Sequence, residues 1–186
     1  MRLLLHICCG PCAIYPIKKL VGTVNDRPLL GKKFDNVTGF FYNPNIHPPS
    51  EYKKRRDTLR ALEKDMNIKV IYPEYIMEEY FNNITLDAGA AARCESCWEA
   101  RLLYTARFAK REGFEAFTTT LLISPYQDHE IIKKIGESIS DKEDIEFYYK
   151  DLRKGFKESQ EEAKKRDLYR QKYCGCVFSE LERAKI

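Results

Sequence analysis

Arg2-Leu3-Leu4-Leu5-His6-Ile7-Cys8-Cys9-Gly10-Pro11-Cys12 joins a mostly apolar run to three cysteines in five positions. Such a run reads as a short strand buried on both faces, the kind that parallel sheets require, with the cysteines on the loop at its carboxyl end. Pro11 suits the first turn of a following helix, which the sequence carries to about Leu20. Strand, reactive loop and helix together open an α/β unit, and the rest of the chain repeats the alternation.

Four further strands are read at Val37 to Tyr42, Ile68 to Tyr72, Phe114 to Thr120 and Ile145 to Tyr149, most of them rich in β-branched and aromatic residues. Between them, Ser50 is read as the N-cap of a helix with Tyr52, Leu59, Leu62 and Met66 as its apolar stripe. A short helix is expected over Glu74 to Asn83 and a loop over Asp87 to Ala92. A long helix follows over Cys94 to Glu112, capped by Gly113. Ile131, Ile132 and Ile135 mark a helix over Asp128 to Ser138, and a charged helix over Phe156 to Tyr173 precedes Cys174-Gly175-Cys176. Val21 to Asn36 reads as an irregular connection.

The fold expected is therefore α/β, a three-layer α/β/α arrangement with a mainly parallel five-stranded sheet, PP-loop/HUP-like. One domain spans residues 1–186, and a C-terminal helical segment from about 152 to 186 returns Cys174 and Cys176 to the site. Ligands of such sheets bind outside the carboxyl ends of the strands, where strand order reverses. The exit loops of strands one, two, four and five carry the cysteine cluster, NPNIHPP, ISPYQDH and KDLRKGF.

Composition narrows the function classes. A hydrophobic fraction of 44% with 32% charged residues describes a globular protein and excludes disordered and collagen-like chains. The net charge of +4 permits a polyanionic partner without demanding one. The apolar start is shorter than the core of a secretion signal, and no apolar run approaches the length that spans a bilayer, so a cytoplasmic location with no membrane partner is expected. Thiols stay reduced there, and an odd number of clustered cysteines then points to metal or redox chemistry.

All seven cysteines fall in groups: Cys8, Cys9 and Cys12, then Cys94 and Cys97, then Cys174 and Cys176. Cys9/Cys12 and Cys94/Cys97 have the CxxC spacing that grips one metal centre, and Cys94 and Cys97 are expected at a helix start, where the backbone dipole favours thiolate. Four thiolates satisfy a tetrahedral zinc; seven exceed that need and suit iron–sulfur or mixed iron chemistry, with zinc as the alternative. No GxxxxGK[ST], GxGxxG or HExxH pattern occurs. Where a PP-loop ATP-pyrophosphatase places a Ser-Gly-Gly turn, this chain has Cys-Cys-Gly-Pro.

His6 precedes the cluster and is read as packing against or orienting a thiolate. His47 and His129 lie on exit loops, either as proton donors and substrate contacts or as solvated surface. Asp151 follows the fifth strand, either as an oxygen ligand or proton donor or as a helix cap. Lys53-Lys54-Arg55-Arg56 and the basic residues from Arg153 to Lys172, interleaved with Tyr169 and Tyr173, suit RNA phosphates and bases, although charge runs are commonly solvated helix faces.

Taken together, HICCGPC, FYNPNIHPPSEYKKR, RCESCWEARL, FTTTLLISPYQDHEII, FYYKDLRKGF and LYRQKYCGCVFSE closely resemble the cobalamin-independent epoxyqueuosine reductase (QueH) family over nearly the whole chain. The resemblance implies reduction of the epoxide of epoxyqueuosine at the wobble position of tRNA with a GUN anticodon. It also implies a [4Fe-4S] cluster and an additional mononuclear iron, no cobalamin, and an external low-potential electron donor. Under this reading Cys9, Cys12, Cys94 and Cys97 hold the cluster. The remaining thiolates, Cys174 or Cys176 among them, hold the second iron with Asp151. Cys8, Asp151, His47 and His129 are the candidate catalytic groups. The rival readings are an iron–sulfur tRNA-thiolating enzyme, which needs ATP, and a zinc-stabilised RNA-binding module.

Overall fold

The computed structural model describes residues 1–21, 34–85 and 89–184. Most of the expected irregular connection, residues 22–33, lies outside them.

The opening strand β1 (Arg2–His6) forms the middle of the sheet, and Leu3, Leu4, Leu5 and His6 are completely buried. It pairs in parallel with β2 (Asn36–Phe40) on one side and β4 (Ala116–Thr119) on the other. Beyond these lie β3 (Val70–Ile71) and β5 (Glu146–Phe147), so the order is β3-β2-β1-β4-β5 with every pair parallel. Strand order therefore reverses between β1 and β4, and the loops leaving these two strands open onto one crevice.

Helices α1 (Gly10–Val21), α2 (Pro49–Asp65) and α6 (Phe156–Lys165) cover one face, while α4 (Gly89–Arg111) and α5 (His129–Glu143) cover the other. The alternation of side chains along β1 divides it between two cores: Leu3 and Leu5 meet Ala13, Ile17 and Leu59, whereas Leu4 meets Leu102, Ala106 and Ile132. Full burial of each leucine contributes roughly 1.5–3 kcal/mol, so the segment that launches the cysteine loop is firmly held. Two shorter helices, α3 (Glu78–Asn83) and α7 (Val177–Ala184), complete the α-helices among the described residues.

Three boundaries depart from expectation. Ser50 lies inside α2, which starts at Pro49 and has no side-chain cap; the fixed φ of proline fits the first turn without one. Gly89 to Ala92, expected in a loop, belong to α4, so Cys94 and Cys97 sit inside a helix and not at its start; alanine is the strongest helix former. The long charged helix stops at Lys165, where Asp167 turns left-handed (φ 50°) and the Leu168 amide closes onto the carbonyl of Ala163 at 2.9 Å. Gly113, with φ 73°, ends α4 as its sequence position predicts.

Candidate metal centre and substrate cleft

The first cysteine group is fixed by residues leaving β2 and β4. Thr120 Oγ1 accepts the Cys8 amide at 3.0 Å and donates to Cys8 Sγ at 3.3 Å, while Asn43 Nδ2 donates to the Ile7 carbonyl at 2.8 Å. His6 Nε2 must donate to the Tyr42 carbonyl (3.1 Å), since a carbonyl only accepts, leaving Nδ1 to take the Thr119 hydroxyl at 2.9 Å. The result is a set of three sulfurs, Cys8, Cys9 and Cys12, all within 4.8 Å of one another. Gln171 Nε2 closes the set from the far end of the chain, donating to Cys9 Sγ at 3.0 Å.

The second group is assembled from two distant segments. Cys94 and Cys97, three residues apart on α4, present sulfur from one helix face. Cys174 and Cys176 arrive on a turn built around Gly175, whose φ of 149° favours glycine and where a Cβ would lie 3.2 Å from Asn45 Nδ2 and 3.3 Å from Arg55 Nη1. That turn is pinned from below. Arg55 donates to the Cys174 and Tyr173 carbonyls at 2.9 and 3.1 Å and pairs through Nε with Glu51 Oε1 at 2.8 Å. The His47 amide donates to the Gly175 carbonyl at 2.8 Å, and the Tyr173 hydroxyl donates to the His47 carbonyl. Cys94, Cys97, Cys174 and Cys176 together line a tight cavity of about 40 Å³.

A larger cleft of about 390 Å³ opens above the first group, with Cys8, Cys12 and Cys174 in its lining and Tyr126, Phe156 and Lys172 among its other walls. Tyr126 is 82% exposed and meets the edge of Phe156 at 5.8 Å. Arg101 borders both cavities, is 2% exposed and donates through Nε to the Cys97 carbonyl at 3.1 Å. Its Nη2 is buried with no hydrogen-bond partner.

The electrostatics suit cation binding. Hydrogen bonds from Cys12 and Cys9 hold the Cys8 thiol well below its ordinary range, whereas its hydrogen bonds push Cys12 up and burial pushes Cys9 up. Burial pushes Cys97 up to about 12, and desolvation raises Cys94 and Cys174 as well. Thiols held neutral in this way give up their protons when a soft metal supplies the compensating charge. All seven are free thiols, and the three sulfurs of the first group can hold a metal ion. Sulfur donors of this number fit iron–sulfur or zinc centres.

The remaining candidates occupy different places. His47 is buried, not solvated: its ring stacks on Phe81 at 5.1 Å, Nδ1 accepts the Val177 amide at 3.4 Å, and burial lowers its pKa. His129 is also buried. Its Nε2 donates to the Ser124 carbonyl at 3.0 Å, and Nδ1 lies 3.9 Å from Asp151 Oδ1. Asp151 is clamped by Arg153, whose hydrogen bonds lower its carboxyl to about 2, and it lines neither of the two cavities. Among the basic residues read as an RNA patch, Arg55 proves to be buried structure.

Sequence reasoning missed Arg101, Arg55, Glu51 and Gln171. Only Arg101 leaves a trace in the sequence, standing four residues after Cys97 and so on the same helix face.

The Epoxyqueuosine reductase QueH family profile matches residues 3–182. A protein named epoxyqueuosine reductase QueH from Dehalococcoides mccartyi is 39% identical over 183 residues, which cover 98% of this chain and 94% of that one. Its namesake from Thermotoga maritima is 39% identical over 188 residues, covering 97% and 91%. With three mutually close thiols at the carboxyl end of the central strand and a profile that covers nearly the whole chain, the protein belongs to the epoxyqueuosine reductase QueH family.

Proposed function

We propose that this chain is an epoxyqueuosine reductase, an oxidoreductase that removes the epoxide oxygen of epoxyqueuosine in tRNA to give queuosine. Both C–O bonds of the epoxide break, a C=C bond forms between the same carbons, and two electrons and two protons carry the oxygen away as water. The observation that carries this reading is the family match across residues 3–182 joined to the thiol group of Cys8, Cys9 and Cys12. The substrate is the wobble nucleoside of tRNA with a GUN anticodon, and the electrons come from an external low-potential donor. The protein acts as one domain in the cytoplasm; no described helix is long and apolar enough to cross a membrane.

The cofactors are a [4Fe-4S] cluster and a second, mononuclear iron, without cobalamin. The grouping of the sulfurs supports a partition in which Cys8, Cys9 and Cys12 form one ligand group and Cys94, Cys97, Cys174 and Cys176 the other, in place of the mixed set expected from sequence. When bound, these centres supply electrons and a Lewis acid for the epoxide oxygen.

The chain's own groups do the rest. The 390 Å³ cleft has room for a nucleoside and the 40 Å³ cavity does not, so substrate enters over Cys8 and Cys12. Tyr126 and Lys172 at its mouth meet a base and a phosphate. His129 stands behind the Ser124 wall of the cleft, with Nε2 on the Ser124 carbonyl and Nδ1 3.9 Å from Asp151 Oδ1. Asp151 is assigned here to orienting His129, and oxygen ligation of the second iron, its other role, requires it to leave the Arg153 clamp; His47 is assigned to holding the Cys174–Cys176 turn. Anaerobically reconstituted protein, incubated with epoxyqueuosine-containing tRNA and a strong reductant, should form queuosine on nucleoside analysis. No conversion at full iron content would overturn the reading.

A further inference from the structure

Two arginines of this protein are equally buried, and they are buried in opposite ways. Arg55 has a carboxylate, Glu51, and two carbonyls as partners. Arg101 has the Cys97 carbonyl on Nε and nothing on Nη2, and among the described residues no carboxylate lies within ion-pair distance of it. Guanidinium does not lose its proton in proteins, so a positive charge stands desolvated with no carboxylate to pair it. Buried charges persist where something compensates them.

The surroundings of Arg101 name the compensating group. The residue lies on α4 one turn beyond Cys97, and its side chain borders both the cleft over Cys8 and Cys12 and the cavity enclosed by Cys94, Cys97, Cys174 and Cys176. Apart from the hydroxyls of Tyr80, Tyr126 and Tyr173, and the carboxylate of Glu182, which is paired with Arg93 at 3.0 Å, every acidic group on these walls is a cysteine. Ligation turns these thiols into thiolates and brings further negative sulfur with an iron–sulfur cluster.

We propose that Arg101 is the positioning cation of the metal site: it compensates the negative charge of the ligating thiolates, directs its free Nη2 donor at a sulfur of the bound centre, and thereby raises the reduction potential of that centre. This rests on the iron–sulfur reading above. Net charge and hydrogen bonds to sulfur are what set such potentials, and a fixed cation favours the reduced state, which carries the additional electron.

The test compares wild type, Arg101→Gln and Arg101→Lys after anaerobic reconstitution. Iron and sulfide per chain and the midpoint potential are measured, along with the melting temperature of each metal-free protein. Removing an unpaired buried charge should leave the metal-free Arg101→Gln protein melting no lower than wild type. Its iron centre should favour the reduced state at least tenfold less, about 59 mV more negative for one electron. Arg101→Lys, which keeps the charge and loses the planar fork, should fall between the two. Equal iron content and potential in wild type and Arg101→Gln would overturn the role of Arg101 alone, as would a metal-free variant that melts below wild type. Wild-type protein that takes up no iron would overturn the iron–sulfur reading itself, and this proposal with it.

Discussion

The guanidinium of Arg55 donates to the carbonyl of Cys174 at 2.9 Å, tying the interior of α2 to a turn 119 residues further along the chain. The same side chain is paired with Glu51, and both are almost completely buried. Arg55→Met should therefore strand a buried carboxylate and release the Cys174 turn together, costing about 3–5 kcal/mol in urea unfolding. A loss below about 1 kcal/mol would show that the hydrogen bond Glu51 already accepts from the Tyr169 hydroxyl, at 2.5 Å, is enough to hold its charge.

Single cysteine-to-serine replacements should sort into two classes. Serine at 8, 9 or 12 removes iron from one centre, and serine at 94, 97, 174 or 176 from the other, because a hydroxyl does not replace thiolate as a soft ligand. Iron and sulfide counts of the seven variants check this. One common deficit in all seven would mean a single shared centre, and unchanged iron in the Cys94 and Cys97 variants would remove α4 from the ligand set.

Acid should weaken the metal-free protein through His6. Burial, and then the charge of Arg101, lower its pKa from 6.5 to about 4. The unfolded chain thus takes up a proton near pH 6.5 that the folded chain refuses until about pH 4. The contribution of neutral His6 is complete above pH 6.5 and is lost as pH falls through that window, by about 2 kcal/mol between pH 7.5 and 5. Urea unfolding at these two pH values should show this extra loss in wild type and not in His6→Gln.

Tyr126 should act on RNA binding more than on chemistry. It is the most exposed large aromatic side chain among the described residues and stands at the mouth of the cleft. Stacking on an unpaired base is worth about 1–3 kcal/mol, so Tyr126→Ala should weaken binding of an anticodon stem-loop on the order of tenfold, and Tyr126→Phe should not. Titration of a fluorescent stem-loop measures both, and an equal loss in the two variants would point to the hydroxyl instead of the ring.

Much of this architecture is legible in the sequence because it is local. The run Leu3 to Ile7 announces a central parallel strand, and the exit loops with unusual residues do lie at the carboxyl edge of the sheet. Boundaries were harder where two local preferences compete: Ser50 is a good cap but two prolines precede it, and DAGAAA combines a turn residue with the best helix formers. The site was legible in its sulfurs and hidden in its charges. Arg55 sits in a KKRR run that looks solvated, and its burial is made tolerable by Glu51 one turn earlier together with the carbonyls of Tyr173 and Cys174, 118 and 119 residues away. Arg101 and Gln171 acquire meaning from neighbours that no spacing rule connects.

The order of the strands has a consequence in time. β1 is synthesised before the other strands and becomes the middle of the sheet, whereas the turn bearing Cys174 and Cys176 follows all of them. At 5–20 residues per second the thiols of Cys8, Cys9 and Cys12 wait on the order of ten to thirty seconds for the sulfurs and the Gln171 amide that face them. The first thiol group is thus made well ahead of the residues that enclose it, and the full set of sulfurs exists only once Cys176 has been added.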